Sequence, residues 1–268
     1  MLVKPLSLYI DLITTSPPPP CRSPLISVVD AHCSDRKVMS PPAAFPSHGA
    51  VEVSVECAAS LFSGTQSRRD DVNSHLSDAV TRLLQDSLPL SSLCVMPGRF
   101  AWQLHIDAIV LSNDGNMLDA VSCAVWAALR NTRLPSLIPV RAEAGFEDDF
   151  QLESSAEKAV PLQAGQLPIN VTLTLIGDDF IFDATQHEEA CATSRMSVAV
   201  NRGGDFFGVY LAGNCSVPPD QFPVLMEAAK QAARSMLDGL EANDQSVSRV
   251  NEICSHPDAP LTAVGLFS

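Results

Sequence analysis

A chain of 268 residues is long enough for one large domain or two small ones, and its 46% hydrophobic content can fill a sizeable core. With 18% charged residues it is not a disordered polyelectrolyte, and no apolar run is long enough to span a bilayer. The formal net charge of -14 excludes attraction of a phosphate backbone by overall charge, so any contact with nucleic acid is local or shared with basic partners.

The first 20 residues carry a short apolar patch broken by Asp11 and followed by Pro17–Pro20. That is too short and too charged for a signal peptide, and residues 1–46 are expected to be a divergent, partly disordered N-terminal segment. Val51, Val53 and Val55 alternate with Glu52, Ser54 and Glu56, which predicts a strand with one wet face. Ser63–Asp71 is polar and turn-rich. Val72, Leu76, Ala79, Val80, Leu83 and Leu84 then predict an amphipathic helix capped by Asp70 or Asp71.

Residues 100–130 hold the centre. Phe100, Trp102, Leu104 and Ile106 alternate as a strand, and the run from Ala108 to Leu111 is apolar on both sides. The sequence NDGN, Asn113–Asn116, breaks it with turn-tolerant residues. Met117, Leu118, Val121, Val125 and Leu129 follow at helical spacing with alanines between, which predicts a buried helix. Residues 141–165 read as an acidic linker, from Glu143 to Glu157. Ile169, Val171, Leu173 and Leu175 alternate, and Gly177-Asp178 turns the chain into Phe180–Asp183, a hairpin. Met196–Val200 and Phe206–Leu211 form a second hairpin around Arg202, Gly203 and Gly204. Phe222, Leu225, Met226, Ala229, Ala233, Met236 and Leu237 recur at helical spacing, and past Asn243 the pattern fades into a tail, 244–268. The halves thus run 47–140 and 166–243, an α+β architecture.

Eight cysteines include no C-x-x-C pair, so neither a zinc site nor a redox motif is expected, and Cys57, Cys94 and Cys123 lie in apolar segments as free thiols do. Asp107, Asp114 and Asp119 are a conceivable magnesium cluster, but Asp114 suits the turn and Asp119 the positive end of a helix. Asp107 reads as a hydrogen-bonded structural acid, and His105 as a half-buried strand histidine. His187, Glu188 and Glu189 have acid–base chemistry available but sit where residues cap a turn or meet a neighbour. Ser63-Gly64-Thr65 is too short for a phosphate loop. Arg68 and Arg69 stand in a Gly/Ser-rich loop before a helix, a place from which guanidinium groups reach phosphates well.

The strand, the NDGNMLDA turn, the helix reading AVWAAL, the closing NTRLP and the later FDATQHEEAC together resemble the RNase PH-like subunits of the RNA exosome ring, over roughly Lys37–Asn243. The resemblance implies an α+β RNase PH-like fold, with two β-sheet and helix halves assembled into six-membered rings. The family's opening Asp-Gly-Arg and Gly-x-Thr are absent, so the N-terminal strands are divergent, missing or cut off by the reading frame. Arg99 matches a basic residue often found ahead of the family's tryptophan, so the resemblance makes it, with Arg68 and Arg69, a candidate RNA-contacting residue. Active members carry an arginine in the turn before the central helix and aspartates around HEEACATSRM. Here the turn is Asp114–Met117 and no acid follows Glu189 before Asp205.

The resemblance therefore implies a subunit without catalytic residues, metal or cofactor. It would work with other RNase PH-like ring subunits, S1/KH-domain cap subunits and single-stranded RNA, away from membranes, in nucleus, nucleolus and cytoplasm. An active phosphate-dependent 3′-exoribonuclease and an unrelated small-molecule enzyme of the same layout are the alternatives.

Overall fold

The structure, a computed structural model, describes residues 9–10, 29–39, 47–62, 66–140, 149–152, 158–163, 166–177, 179–213 and 217–255, with backbone alone for 9–10, 29–39, 137–140, 149–152 and 243–255. The first half runs β1 (Tyr9–Ile10), β2 (Val29–Met39), β3 (Ala50–Cys57), α1 (Gln66–Ser87), β4 (Cys94–Met96), β5 (Phe100–Val110) and α2 (Met117–Asn131). Four short strands follow, β6 (Arg133–Leu134), β7 (Leu137–Val140), β8 (Asp149–Leu152) and β9 (Val160–Pro161). The second half runs β10 (Ile169–Ile176), β11 (Asp179–Phe182), α3 (Gln186–Cys191), β12 (Ser194–Val200), β13 (Phe206–Gly213) and α4 (Phe222–Ser255).

Alternation decides the first sheet. Val51, Val53, Val55 and Cys57 are buried while Glu52, Ser54 and Glu56 face water. The sheet has the order β1-β2-β5-β3, with β4 also on β5, so β3 is an edge. Helix α1 protects that edge. The Cys57 backbone N–H donates to Asn73 Oδ1 at 3.0 Å and that of Val55 to Ser77 Oγ at 2.9 Å. Backbone donors that would otherwise invite another strand are thereby satisfied.

Helix α1 starts at Gln66, earlier than the predicted caps, so Asp70 and Asp71 lie inside it. Its first turn is polar all round, and hydrophobic spacing cannot register such a turn. Strand β2 lies inside the segment 1–46 expected to be divergent and partly disordered, where Asp30, Asp35 and Arg36 interrupt the strand pattern. It pairs antiparallel with β5 from Val29↔Val110 to Met39↔Ala101, through one irregularity between Cys33 and Asp35.

The second sheet has the order β11-β10-β12-β13, all antiparallel, and both expected hairpins are present. Strand β10 is buried from Ile169 to Leu175, with α2 and α4 both packed against it. Helix α2 is the spine. Every residue from Val121 to Leu129 is buried, and its alanines let β5, β10 and α4 approach. The span expected as a linker carries β8 and β9, which pair with β7 and β6. The backbone of α4 continues past Asn243 to Ser255. The fold is α+β in two β-sheet and helix halves, as expected. Among the described residues no helix is long and apolar enough to cross a membrane.

Candidate functional site

The turn leaving β5 is built by sequence. Asn113 Oδ1 accepts from the Gly115 backbone N–H at 2.8 Å, and Gly115 has φ +118°. A Cβ at Gly115 would lie 2.1 Å from the Ala184 carbonyl oxygen, so only glycine lets this turn meet the Ala184–Gln186 segment of the other half. The Gln186 backbone N–H donates to the Asp114 carbonyl oxygen at 2.7 Å. Asn116, the residue before α2, is left-handed with φ 50°.

Helix α3 opens with a capping box. Thr185 Oγ1 accepts from the Glu188 backbone N–H at 3.1 Å, and Glu188 Oε2 accepts from the Thr185 backbone N–H at 2.9 Å. Glu188 is therefore structural, as expected, and His187 is exposed. Glu189 reaches across. Its Oε1 accepts from the Asn116 backbone N–H at 3.0 Å and lies 3.3 Å from Arg195 Nη1. The N-terminal end of α2, where backbone donors and the helix dipole favour an anion, is thus filled by the protein's own carboxylate.

Behind this turn lies Asp119, 3% exposed. Its Oδ1 accepts from Asn170 Nδ2 at 2.6 Å and Thr172 Oγ1 at 2.7 Å. Its Oδ2 accepts from the Thr172 backbone N–H at 2.7 Å and from Asn116 Nδ2 at 3.0 Å. Ser197 Oγ is 2.8 Å from Thr172 Oγ1, and Ser122 Oγ accepts from the Asn170 backbone N–H at 3.0 Å. Desolvation pushes the Asp119 carboxyl up to about 6, against the pull of these donors. Burial, and then the Asp119 charge, push the Cys123 thiol up to about 12, so it is an inert packing residue. Position at the start of a helix suggested only a dipole role for Asp119. Its use as a link between the halves has no local signature.

The three candidate arginines do not come together. Arg68 is exposed and Arg69 half-buried in the first turn of α1, not in a loop, beside the Cys57 end of β3. Arg69 Nε is buried without a hydrogen-bond partner, 3.8 Å from Asp70 Oδ1. Arg99 precedes β5 at the opposite end of the sheet, its guanidinium 5.4 Å from the Phe100 ring centroid. The 11 residues of β5 separate the two positions by roughly 30 Å. Ser63-Gly64-Thr65 lies outside the described residues.

Among the described residues, no group of three or more His, Cys, Asp or Glu side chains is placed to hold a metal ion. Asp107 is half-buried on β5, while Asp119 is enclosed by protein donors. His105 is half-buried as predicted, 3.3 Å from Glu52. A cavity of about 450 Å³ opens between α1 and β13, with Ser122, Asn170 and Ser197 among its lining residues.

The sequence pattern of the 3′ exoribonuclease family matches twice, domain 1 over residues 26–135 and domain 2 over 166–232. An exosome complex component Rrp42 of Methanocella arvoryzae is 31% identical over 189 residues, covering 70% of this chain and 66% of that protein. Exosome complex component rrp45 of Schizosaccharomyces pombe is 29% identical over 171 residues, covering 63% of this chain and 56% of that protein. The chain spans about half to two thirds of the length of the curated relatives it matches. A solved Archaeoglobus fulgidus exosome with RNA bound to the active site shares the fold, with a TM-score of 0.65 at 21% identity over 80% of this chain and 81% of that one.

Proposed function

Because the chain belongs to the RNase PH-like 3′ exoribonuclease family, both of whose domains it carries, we propose that it is a non-catalytic subunit of an RNA exosome ring. In this reading it completes a hexamer with other RNase PH-like subunits, supports S1/KH-domain cap subunits and helps to line a channel for single-stranded RNA. It would serve RNA processing and degradation, ribosomal RNA maturation included, in nucleus, nucleolus and cytoplasm. Its named relatives, exosome components Rrp42 and rrp45, support the ring assignment.

One observation carries the non-catalytic part. Phosphate-dependent cleavage of RNA needs cations and backbone donors to hold phosphate, and an acid for the leaving oxygen. At the N-terminus of α2 the Asn116 backbone N–H is already bonded to Glu189, and Arg195 is paired with that same carboxylate. Asp183 Oδ1 also lies 3.4 Å from Asn116 Nδ2, so a second anion there meets the repulsion of neighbouring carboxylates.

Arg68, Arg69 and Arg99 are the proposed RNA contacts, at two separate places on the subunit. The test is incubation of the purified chain with a single-stranded RNA oligonucleotide and inorganic phosphate. No nucleoside diphosphate is expected, while co-expression with RNase PH-like ring subunits should give a stable complex. Phosphate-dependent release of nucleoside diphosphates would establish the enzyme instead.

A further inference from the structure

The two sheets end differently. On the first, the edge donors of β3 at Val55 and Cys57 are taken by Ser77 and Asn73 of α1. On the second, β13 pairs only with β12, and among the described residues no side chain caps its outer edge. Its sequence, FFGVYLAG, has no charge, proline or lysine, the devices that guard edges against pairing. Phe206, Val209, Tyr210 and Leu211 are 44–52% exposed. A strand so bare is a template for another.

Beside it lies the cavity of about 450 Å³, walled by α1 and opening along Gly208, Val209 and Tyr210. The α1 wall carries Asp78 and Asp86 against Arg82, with His75 5.7 Å from the Tyr210 ring, centroid to centroid. Asn170 spends both amide hydrogens on Asp119 and Thr172, at 2.6 and 3.3 Å, which leaves its amide oxygen as an acceptor at the floor. The balance of acceptors and carboxylates favours a cationic side chain. A second copy of this chain suits the edge poorly, since each copy carries a formal charge of -14.

We infer that β13 is a docking edge where a basic partner protein adds an extended strand and seats a lysine or arginine side chain in the cavity against Asp78 and Asp86. The inference rests on the ring reading and names one surface through which that assembly is made. Main-chain hydrogen bonds to β13 supply affinity, and the cavity supplies the choice of partner.

The experiment uses the full chain, alone and co-expressed with RNase PH-like ring subunits, followed by backbone amide exchange and by sedimentation. Alone, the outward amides of Phe206–Gly213 should exchange freely and the chain should be monomeric. In the complex they should become protected. V209K with L211K should abolish the complex, and D78K with D86K should weaken it by about tenfold or more. L111K, at an exposed leucine on the turn after β5, should leave it intact.

A complex in which β13 stays unprotected and these variants bind normally overturns this inference and leaves the ring reading standing. Absence of any complex overturns both. Protection of β13 in the isolated monomer would identify a segment of the same chain as the occupant, and a β13-mediated homodimer would identify a second copy. Either result overturns the basic-partner assignment.

Discussion

Asp119 on α2 and Thr172 on β10 are joined twice: the Thr172 backbone N–H and its hydroxyl each donate to the Asp119 carboxylate at 2.7 Å. Because that hydroxyl proton is committed to Asp119, the 2.8 Å bond between Thr172 Oγ1 and Ser197 Oγ has Ser197 as donor. The chain Ser197–Thr172–Asp119 fastens two strands of the second sheet to the spine helix of the first half.

Asp119→Asn keeps the shape and reverses one end of the hydrogen bonding. An NH2 group would face either Asn170 Nδ2 and Thr172 Oγ1, or Asn116 Nδ2 and the Thr172 backbone N–H. A buried donor set against donors costs about 1–3 kcal/mol, read as a lower urea midpoint at neutral pH.

The same group makes stability depend on pH. The Asp119 carboxyl stands at about 6 in the folded chain against an ordinary 3.8, so the folded state holds its proton more tightly than the unfolded one. Its contribution is fully present below pH 3.8 and is lost as pH rises through about 6. That shift corresponds to about 3 kcal/mol between the two limits. Urea midpoints measured from pH 4 to pH 7 should fall more steeply for the wild type than for Asp119→Asn. Parallel slopes would remove Asp119 as the cause.

Gly115→Ala should damage the contact between the halves. Two penalties add there: a backbone at φ +118°, and a Cβ 2.1 Å from the Ala184 carbonyl oxygen. Together they should cost about 2–4 kcal/mol, seen as a lower Tm, whereas Gly98→Ala has the strained φ of +76° without a clash and should cost less.

Glu189→Gln should reopen the anion position at α2. The substitution removes the charge that neutralises Arg195 and weakens the bond to the Asn116 backbone N–H. Inorganic phosphate should then perturb the Asn116 amide resonance of the variant at millimolar concentration and leave the wild type unchanged. Equal responses would mean that Glu189 does not occupy the site.

Arg68→Ala and Arg99→Ala should each weaken cross-linking of single-stranded RNA to the assembled ring. The two sites stand roughly 30 Å apart along β5, so their effects on binding free energy should add. Arg69→Ala carries a stability effect as well, because its Nε is buried beside Asp70.

The sequence by itself determined what local periodicity can carry: β3, β5, the hairpins of the second sheet, and α2 as the buried spine. In each, neighbouring residues encode their own face, so the pattern survives without knowledge of what packs on it. It also carried the NDGN turn, whose chemistry is complete within a few residues, whereas the Thr185–Glu188 capping box, though just as local, reads in the sequence only as acids that cap a turn or meet a neighbour. Strand β2 and the early start of α1 escaped because their polar residues interrupt or lack the apolar period that marks an element in the sequence. Only the tertiary structure decided that Asp119 is a link rather than a dipole partner, since Thr172 lies 53 residues away. Only it placed Glu189, 73 residues on, at the end of α2, and set Arg99 apart from Arg68. Contacts between distant residues depend on how two halves meet, and periodicity within either half does not record that meeting.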